Sequence, residues 1–276
     1  MSILILTRDE EAELPGCLAS LDGFGEVVVV DSCSTDATPR IAEEASARIV
    51  TRAFTHWSDH QNWIMENVAF EYPWVFYMDA DERMTPALKD ELTRIAGSDE
   101  PAHSAWFVAR DNLLFGRVLR HAMSDGFVMR FFQPPNIRFE RRVNPQPRLL
   151  DGSAPGYLRE RLVHRHFCRG FTQWFEKHNR YATWEAQEWI EAEERTAVSW
   201  RGVVSADRHR RNQALKRLSF ALPGRPLLKF LQLYVLKRGF LDGAPGFHCG
   251  VLMAVFEYMI GLKVREMKRR RAGLPI

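Results

Sequence analysis

The sequence predicts an α/β protein: an open sheet flanked by crossover helices, extended at its C-terminus by amphipathic basic helices. Three observations predict it. Short apolar runs alternate with helix-patterned segments through the first hundred residues, as parallel strands with crossover helices require. The 276 residues are 46% hydrophobic and 26% charged, enough to bury a core, which excludes disordered, collagen-like and disulfide-scaffold chains. Charge is split: residues 1–200 hold 22 basic and 31 acidic side chains and residues 201–276 hold 16 and 4, so the net +3 describes neither part.

Taken in order, residues 3–6 read as a strand followed by a helix over 14–21, and 26–30 as a strand with a helix starting near Thr38. Residues 48–50 precede a helix around 61–69, and 74–78 one around 86–95. Between 101 and 165, short apolar runs at 105–108 and 127–132 are separated by Pro-Pro, Asp-Gly and Pro-Gly signals, which predicts antiparallel strands and loops. Phe171, Trp174, Phe175, His178, Tyr181 and Ala182 mark a helix over 171–195. Residues 196–220 are polar, basic and weakly patterned, as a linker is.

The last segment has apolar runs at 227–236 and 251–260, interrupted by Lys237, Arg238 and a Pro/Gly turn. Asp242, Pro245, His248 and Glu257 argue against a clean span between Phe240 and Leu262. The expectation is two helices in a membrane interface, with Lys263, Arg265, Lys268, Arg269, Arg270 and Arg271 meeting anionic lipid; a partner-docking surface and a true span are the alternatives. The chain thus divides into 1–170, with halves 1–100 and 101–170, then 171–220 and 221–276. Cys17, Cys33, Cys168 and Cys249 form no C-x-x-C pair, so free thiols in a reducing compartment are expected. The N-terminus lacks a basic n-region and a long apolar run, so the expected location is cytoplasmic.

In open α/β sheets the chemistry gathers at the carboxyl ends of the strands. FYMDADE, Phe76 to Glu82, ends an apolar strand in two carboxylates. On a strand, Asp79 and Asp81 face the same side, and a hard cation bridging to phosphate relieves their repulsion; two solvated acids opening a helix are the alternative. VVVVDSCSTD brings Asp31 to the crevice, where it can accept from a base N–H or a ribose hydroxyl. Asp36 is expected to cap the next helix, and Cys33 to be a small turn residue. At the first strand end, Thr7 is placed to meet a nucleobase, while Asp9 and Glu10 either join it or cap the following helix. No G-x-G-x-x-G and no P-loop occurs.

The strand-end TRDEE, the VVVVDSCSTD turn and the DADER segment, in this order and spacing, resemble family-2 glycosyltransferases of GT-A fold. Met129–Phe132 (MRFF), KHNRYAT and YVLKRGFLDG further resemble the bacterial lipopolysaccharide-core and exopolysaccharide enzymes. The resemblance implies an inverting transfer that uses Mg²⁺ or Mn²⁺. The donor would be a nucleotide sugar, a UDP-sugar first among them, and the acceptor a lipid-linked saccharide or lipopolysaccharide core at the inner face of a bacterial membrane. It implies no nucleic-acid partner, and association with a second copy stays open. It makes 1–100 the donor half and 101–170 the acceptor half of the catalytic domain. By matching position, Thr7, Arg8, Glu10, Asp31, Asp79, Ala80, Asp81 and Arg130 would bind the donor, with Asp79 and Asp81 also holding the metal.

Two departures stand out. Relatives carry His-Glu after an Arg-rich strand where this chain has Asn144-Pro145, so the general base is sought at Asp125 first and Glu140 second, with Asp151 and Glu160 behind them. Relatives carry a basic residue where Gln61 stands, leaving one diphosphate charge uncompensated; His60 beside it reads as a surface residue. Arg138, Arg141 and Arg142 meet either an anionic acceptor or solvent. Trp106 and Trp174 are expected in the core, and His164 with His166 in structural or acceptor-binding roles, lacking a third metal ligand.

Overall fold

A computed structural model describes residues 1–123, 126–140, 145–195 and 224–276. Asp125, Arg141, Arg142, Asn144 and the linker expected at 196–220 lie outside the described residues.

The N-terminal half folds as expected: β1 (Ser2–Thr7), α1 (Leu14–Ala19), β2 (Glu26–Asp31), α2 (Thr38–Glu44), β3 (Arg48–Thr51), α3 (Trp57–Asn67), β4 (Val75–Asp79), β5 (Glu82–Arg83) and α4 (Pro86–Ala96). Prolines in the first turns of α1, α2 and α4 are tolerated because the N–H they lack has no helical partner there. Helix α3 starts four residues earlier than its pattern predicts, since the His56 ring accepts the Asp59 N–H and caps it.

The chain continues through β6 (Ala105–Leu114), β7 (Arg117–Val118), β8 (Phe127–Phe132), β9 (Ile137–Glu140), β10 (Gln146–Leu149), β11 (Gly156–His164) and α5 (Gly170–Arg195). Among the described residues, one sheet runs β3-β2-β1-β4-β8-β6-β11-β5, with β7 on β6 and β9–β10 forming a separate ribbon. Strands β3, β2, β1 and β4 are parallel, and β8 is antiparallel to both β4 and β6. The expectation of antiparallel pairing across 101–165 fails at one place, where β11 lies parallel to β6. Turn signals report that a chain reverses but not which neighbour it then finds.

Alternation along the strands feeds two cores. Ile3, Ile5, Val29, Phe76 and Met78 pack against α1, α2 and α4 on one face, while Leu4, Leu6, Val28, Val30, Val75 and Tyr77 pack against α3 on the other. With both faces covered, the open ends of the strands are where polar side chains emerge.

Residues 1–118 and 123–168 form one compact unit, and 119–122 with 169–276 a second. In the second, α6 (Arg225–Leu231) runs into a π-helical turn at Gln232–Leu236, a 3₁₀ turn at Gly239–Asp242 and α7 (Ala244–Arg271). The two predicted C-terminal helices are therefore of very unequal length. By length and composition α7 could cross a membrane, the single such helix among the described residues. Ile260 and Val264 of α7 pack on Ala182, Ala186 and Ile190 of α5. The Asp242 carboxylate accepts the backbone N–H groups of Arg120, His121 and Ala122.

Candidate active site

Parallel register sets Thr7 beside Asp31 and Leu6 beside Asp79, so the ends of β1, β2 and β4 form one polar rim. Thr7 Oγ1 donates to Asp31 Oδ1 at 3.0 Å and the Ser34 N–H to Asp31 Oδ2 at 2.8 Å. Both Thr7 and Asp31 are buried. A carboxylate has about four acceptor positions, so Asp31 keeps capacity for a ligand donor.

The two loops beyond this rim are tied together. Asp9, at φ 51°, accepts the Thr35 N–H at 2.7 Å; Glu11 accepts that of Ala37 at 3.0 Å; Asp36 accepts those of Glu11 and Thr38. Asp36 is not the cap expected of it: the N-cap of α2 is Ala37, with no side-chain cap, and Asp36 stands one residue before it, accepting the N–H of Thr38. Asp9 and Glu10 do not cap α1, which has no side-chain cap; the Glu10 N–H instead donates to Thr38 Oγ1 at 2.7 Å. Cys33, exposed and at φ 60°, is a turn residue. Arg8 is exposed and Ala80 buried.

The DADER segment departs from the strand geometry expected of it. Strand β4 ends at Asp79 and the chain turns through Ala80 and Asp81 into β5, so the two acids are not same-face positions of one strand. Asp79 accepts the Tyr77 hydroxyl at 3.1 Å and Arg130 Nη2 at 2.5 Å. Burial pushes the Asp79 carboxyl up, but the Arg130 charge outweighs it and holds Asp79 below the usual carboxylate range. Glu82, fully buried, accepts the Asp79 N–H at 2.9 Å and lies 3.4 Å from Arg130 and 3.6 Å from Arg110; burial still raises its carboxyl.

Asp81 faces β11. Its carbonyl accepts the Arg165 N–H at 2.9 Å, and its Oδ2 lies 3.5 Å from His164 Nε2. His164 Nδ1 is 2.7 Å from Asn112 Oδ1, and the Asn112 amide nitrogen is turned to the Met123 carbonyl. That arrangement assigns the Nδ1 proton to the Asn112 bond and points Nε2 at Asp81.

Arg130 is expected from the sequence to bind the donor. Its side chain is only 7% exposed, paired with Asp79 and Glu82 and lying 3.9 Å from the Tyr77 ring centre, because the sheet buries it between acids that need a cation. His60 is not on the surface: it is 1% exposed, its Nδ1 is 3.2 Å from Arg52, and burial lowers its pKa to about 4. Gln61 is buried, and its Oε1 has no hydrogen-bond partner among the described residues. Glu140 stands exposed on the β9–β10 ribbon, 3.3 Å from Arg148, and Arg138 is exposed beside Glu66. Trp174 is buried and Trp106 partly so, both packed. Glu82 went unread as a site residue and His164 was read apart from Asp81. Both omissions share a cause, since only the β5–β11 pairing of Glu82 with His164 brings them together.

Among the described residues no three His, Cys, Asp or Glu side chains converge as a metal cage. One or two protein ligands completed by phosphate oxygens and water is the ordinary arrangement for Mg²⁺ at a nucleotide, so the donor set of Asp81, with Asp79 and His164 adjoining, fits such an ion.

The mixed sheet flanked by helices, with its acids on one rim, is a GT-A fold. The chain belongs to glycosyl transferase family 2, whose model matches residues 2–165. It is 34% identical over 122 residues to the lipopolysaccharide core biosynthesis glycosyltransferase LpsC of Rhizobium meliloti, covering 42% of this chain and 44% of that protein. Over 156 residues it is 34% identical to a TPR repeat-containing protein of Synechococcus elongatus, covering 55% of this chain and 36% of that one. The matches thus span less than half the length of these two relatives. An uncharacterized glycosyltransferase of Rickettsia typhi is 21% identical over 97% of this chain and 87% of its own length. The mannosyltransferase PcManGT of Pyrobaculum calidifontis, solved with GDP-Man and Mn²⁺, shares the fold at a TM-score of 0.50 and 18% identity, covering 96% of this chain and 86% of that one.

Proposed function

We propose that this protein is a metal-dependent inverting glycosyltransferase that moves a sugar from a nucleotide-sugar donor, a UDP-sugar first, to a lipid-linked saccharide or lipopolysaccharide-core acceptor at the cytoplasmic face of a bacterial membrane. The observation that carries this reading is the placement of Asp31 and Asp79 at the ends of the parallel strands on either side of β1, with Asp81 in the turn that follows β4, in a chain of this family. Asp31, fixed by Thr7 and Ser34, offers its remaining acceptor position to the nucleoside. Arg130 acts from behind the rim: by pairing with Asp79 it keeps that carboxylate ionised and oriented. Asp81 and His164 would hold a Mg²⁺ or Mn²⁺ ion. Bound there, the ion would neutralise charge on the departing nucleoside diphosphate. The acceptor hydroxyl needs a base; the pairing of Glu140 with Arg148 on the outer ribbon favours Asp125 for that role.

A panel of UDP-, GDP-, dTDP- and ADP-sugars, read by thermal shift with and without Mn²⁺, tests the proposal. One donor should stabilise the protein in a Mn²⁺-dependent way, because a ligand that binds only the folded state raises its stability. A chain that answers to none of them is not a sugar-nucleotide enzyme.

A further inference from the structure

Within the C-terminal unit an apolar groove of 380 Å³ lies between α6 and α7, lined by Leu227, Phe230, Phe247, Val251, Val255 and Tyr258 among others. Its walls are open to solvent: Leu227, Phe247, Val251 and Tyr258 are all exposed, as are Leu228 and Leu231 of α6 and Val235 and Leu236 of the turn after it. Isolated exposed apolar side chains are ordinary, but a continuous patch on two neighbouring helices marks an interaction surface. A close approach builds it, since the Phe230 ring packs where a Cβ on Gly250 would stand 3.1 Å away.

The surrounding charge selects the occupant. Residues 224–276 carry ten lysines and arginines and three acids. Each acid is engaged within the unit: Asp242 with backbone N–H groups, Glu257 with Arg225 at 2.7 Å, and Glu266 with Arg270 at 3.0 Å. Arg225 and Arg270 are partners of two of these acids, and the segment keeps a net charge of +7, ten cations less three acids, so pairing it with a second copy would bring like charges together. An anionic bilayer complements both properties, hydrocarbon for the groove and phosphate for the cations.

We infer that the α6–α7 groove seats a hydrocarbon chain of an anionic phospholipid, with both helices lying in the interface. This rests on the membrane reading above and adds to it the site of insertion, which the basic end of α7 alone does not provide. The test uses the full chain and vesicles of phosphatidylcholine with roughly one-third phosphatidylglycerol. Val251→Glu, and independently the neutral Leu227→Gln at an exposed position, should weaken sedimentation with these vesicles, the former at least roughly tenfold, with far-UV circular dichroism unchanged. Tyr258→Trp should bind normally and be quenched by lipid brominated on its acyl chains.

Binding by the parent chain that both groove variants retain, or binding without acyl-chain quenching, overturns the groove while leaving membrane association through the basic helix end standing. Failure of the parent chain to bind at all overturns the membrane reading, and the groove inference with it. Equal binding to pure phosphatidylcholine removes the charge argument and overturns the choice of an anionic lipid. A dimer in light scattering that Val251→Glu dissociates identifies the occupant as a second copy and overturns the lipid.

Discussion

Arg130 reaches Asp79 at 2.5 Å from a strand fifty-one positions later in the chain, and its guanidinium covers the Tyr77 ring that also hydrogen-bonds Asp79. The pair is mostly buried, so its loss is more costly than that of a surface ion pair. Arg130→Met should leave Asp79 and Glu82 without their nearest cation and destabilise the protein by about 3–5 kcal/mol, measured from denaturant midpoints. The sign with pH follows from the lowered Asp79 pKa. Its stabilisation is complete above the unfolded value of 3.8 and is lost as pH falls through the folded value, so the Arg130→Met penalty should shrink at acid pH.

Asp81 Oδ2 lies 3.5 Å from His164 Nε2. Asp81→Ala should lower turnover by at least about 100-fold and abolish the Mn²⁺-dependent thermal shift. His164→Ala should weaken the apparent affinity for Mn²⁺ in the same assay, with a smaller effect on turnover.

Burial holds His60 neutral, with a folded pKa of about 4 against 6.5 for the free side chain. The unfolded chain binds the extra proton between these values, so stability is full above pH 6.5 and falls as pH drops toward 4, by up to about 3 kcal/mol for this residue. His60→Gln should flatten that part of the stability profile, as read by guanidinium titrations at a series of pH values.

The turn between α6 and α7 depends on glycine. A Cβ on Gly246 would stand 1.9 Å from the Gly239 carbonyl oxygen, a backbone atom that cannot rotate away, so Gly246→Ala should destabilise the protein by at least about 3 kcal/mol. Gly261, further along α7, has nothing within 4 Å of such a Cβ, and Gly261→Ala should stabilise by about 0.5–1 kcal/mol. Opposite shifts of the thermal midpoint check the pair.

Much of the donor side was legible in the sequence because it is built from local patterns. Alternating apolar runs located β1, β2 and β4, and the polar residues that follow them, Thr7, Asp31 and Asp79, had to emerge at the strand ends. The capping role read for Asp36 fell one residue short, since Ala37 is the N-cap and Asp36 accepts the Thr38 N–H from the position before it. Reading DADER as an extended strand went wrong at one residue, because nothing local announces that Glu82 begins a strand pairing across the sheet with β11.

The sequence by itself determined the family, the order of strands and helices in the first hundred residues, and the split of charge between an acidic body and a basic C-terminal segment. Only the tertiary structure decided that Arg130 serves Asp79 from within the sheet, that His164 lies beside Asp81, and that His60 is buried. The physical reason is separation along the chain. Periodicity and turn chemistry act over a few residues, whereas partners of a buried charge are chosen by which strands lie side by side, here across fifty-one residues for Asp79 and eighty-three for Asp81.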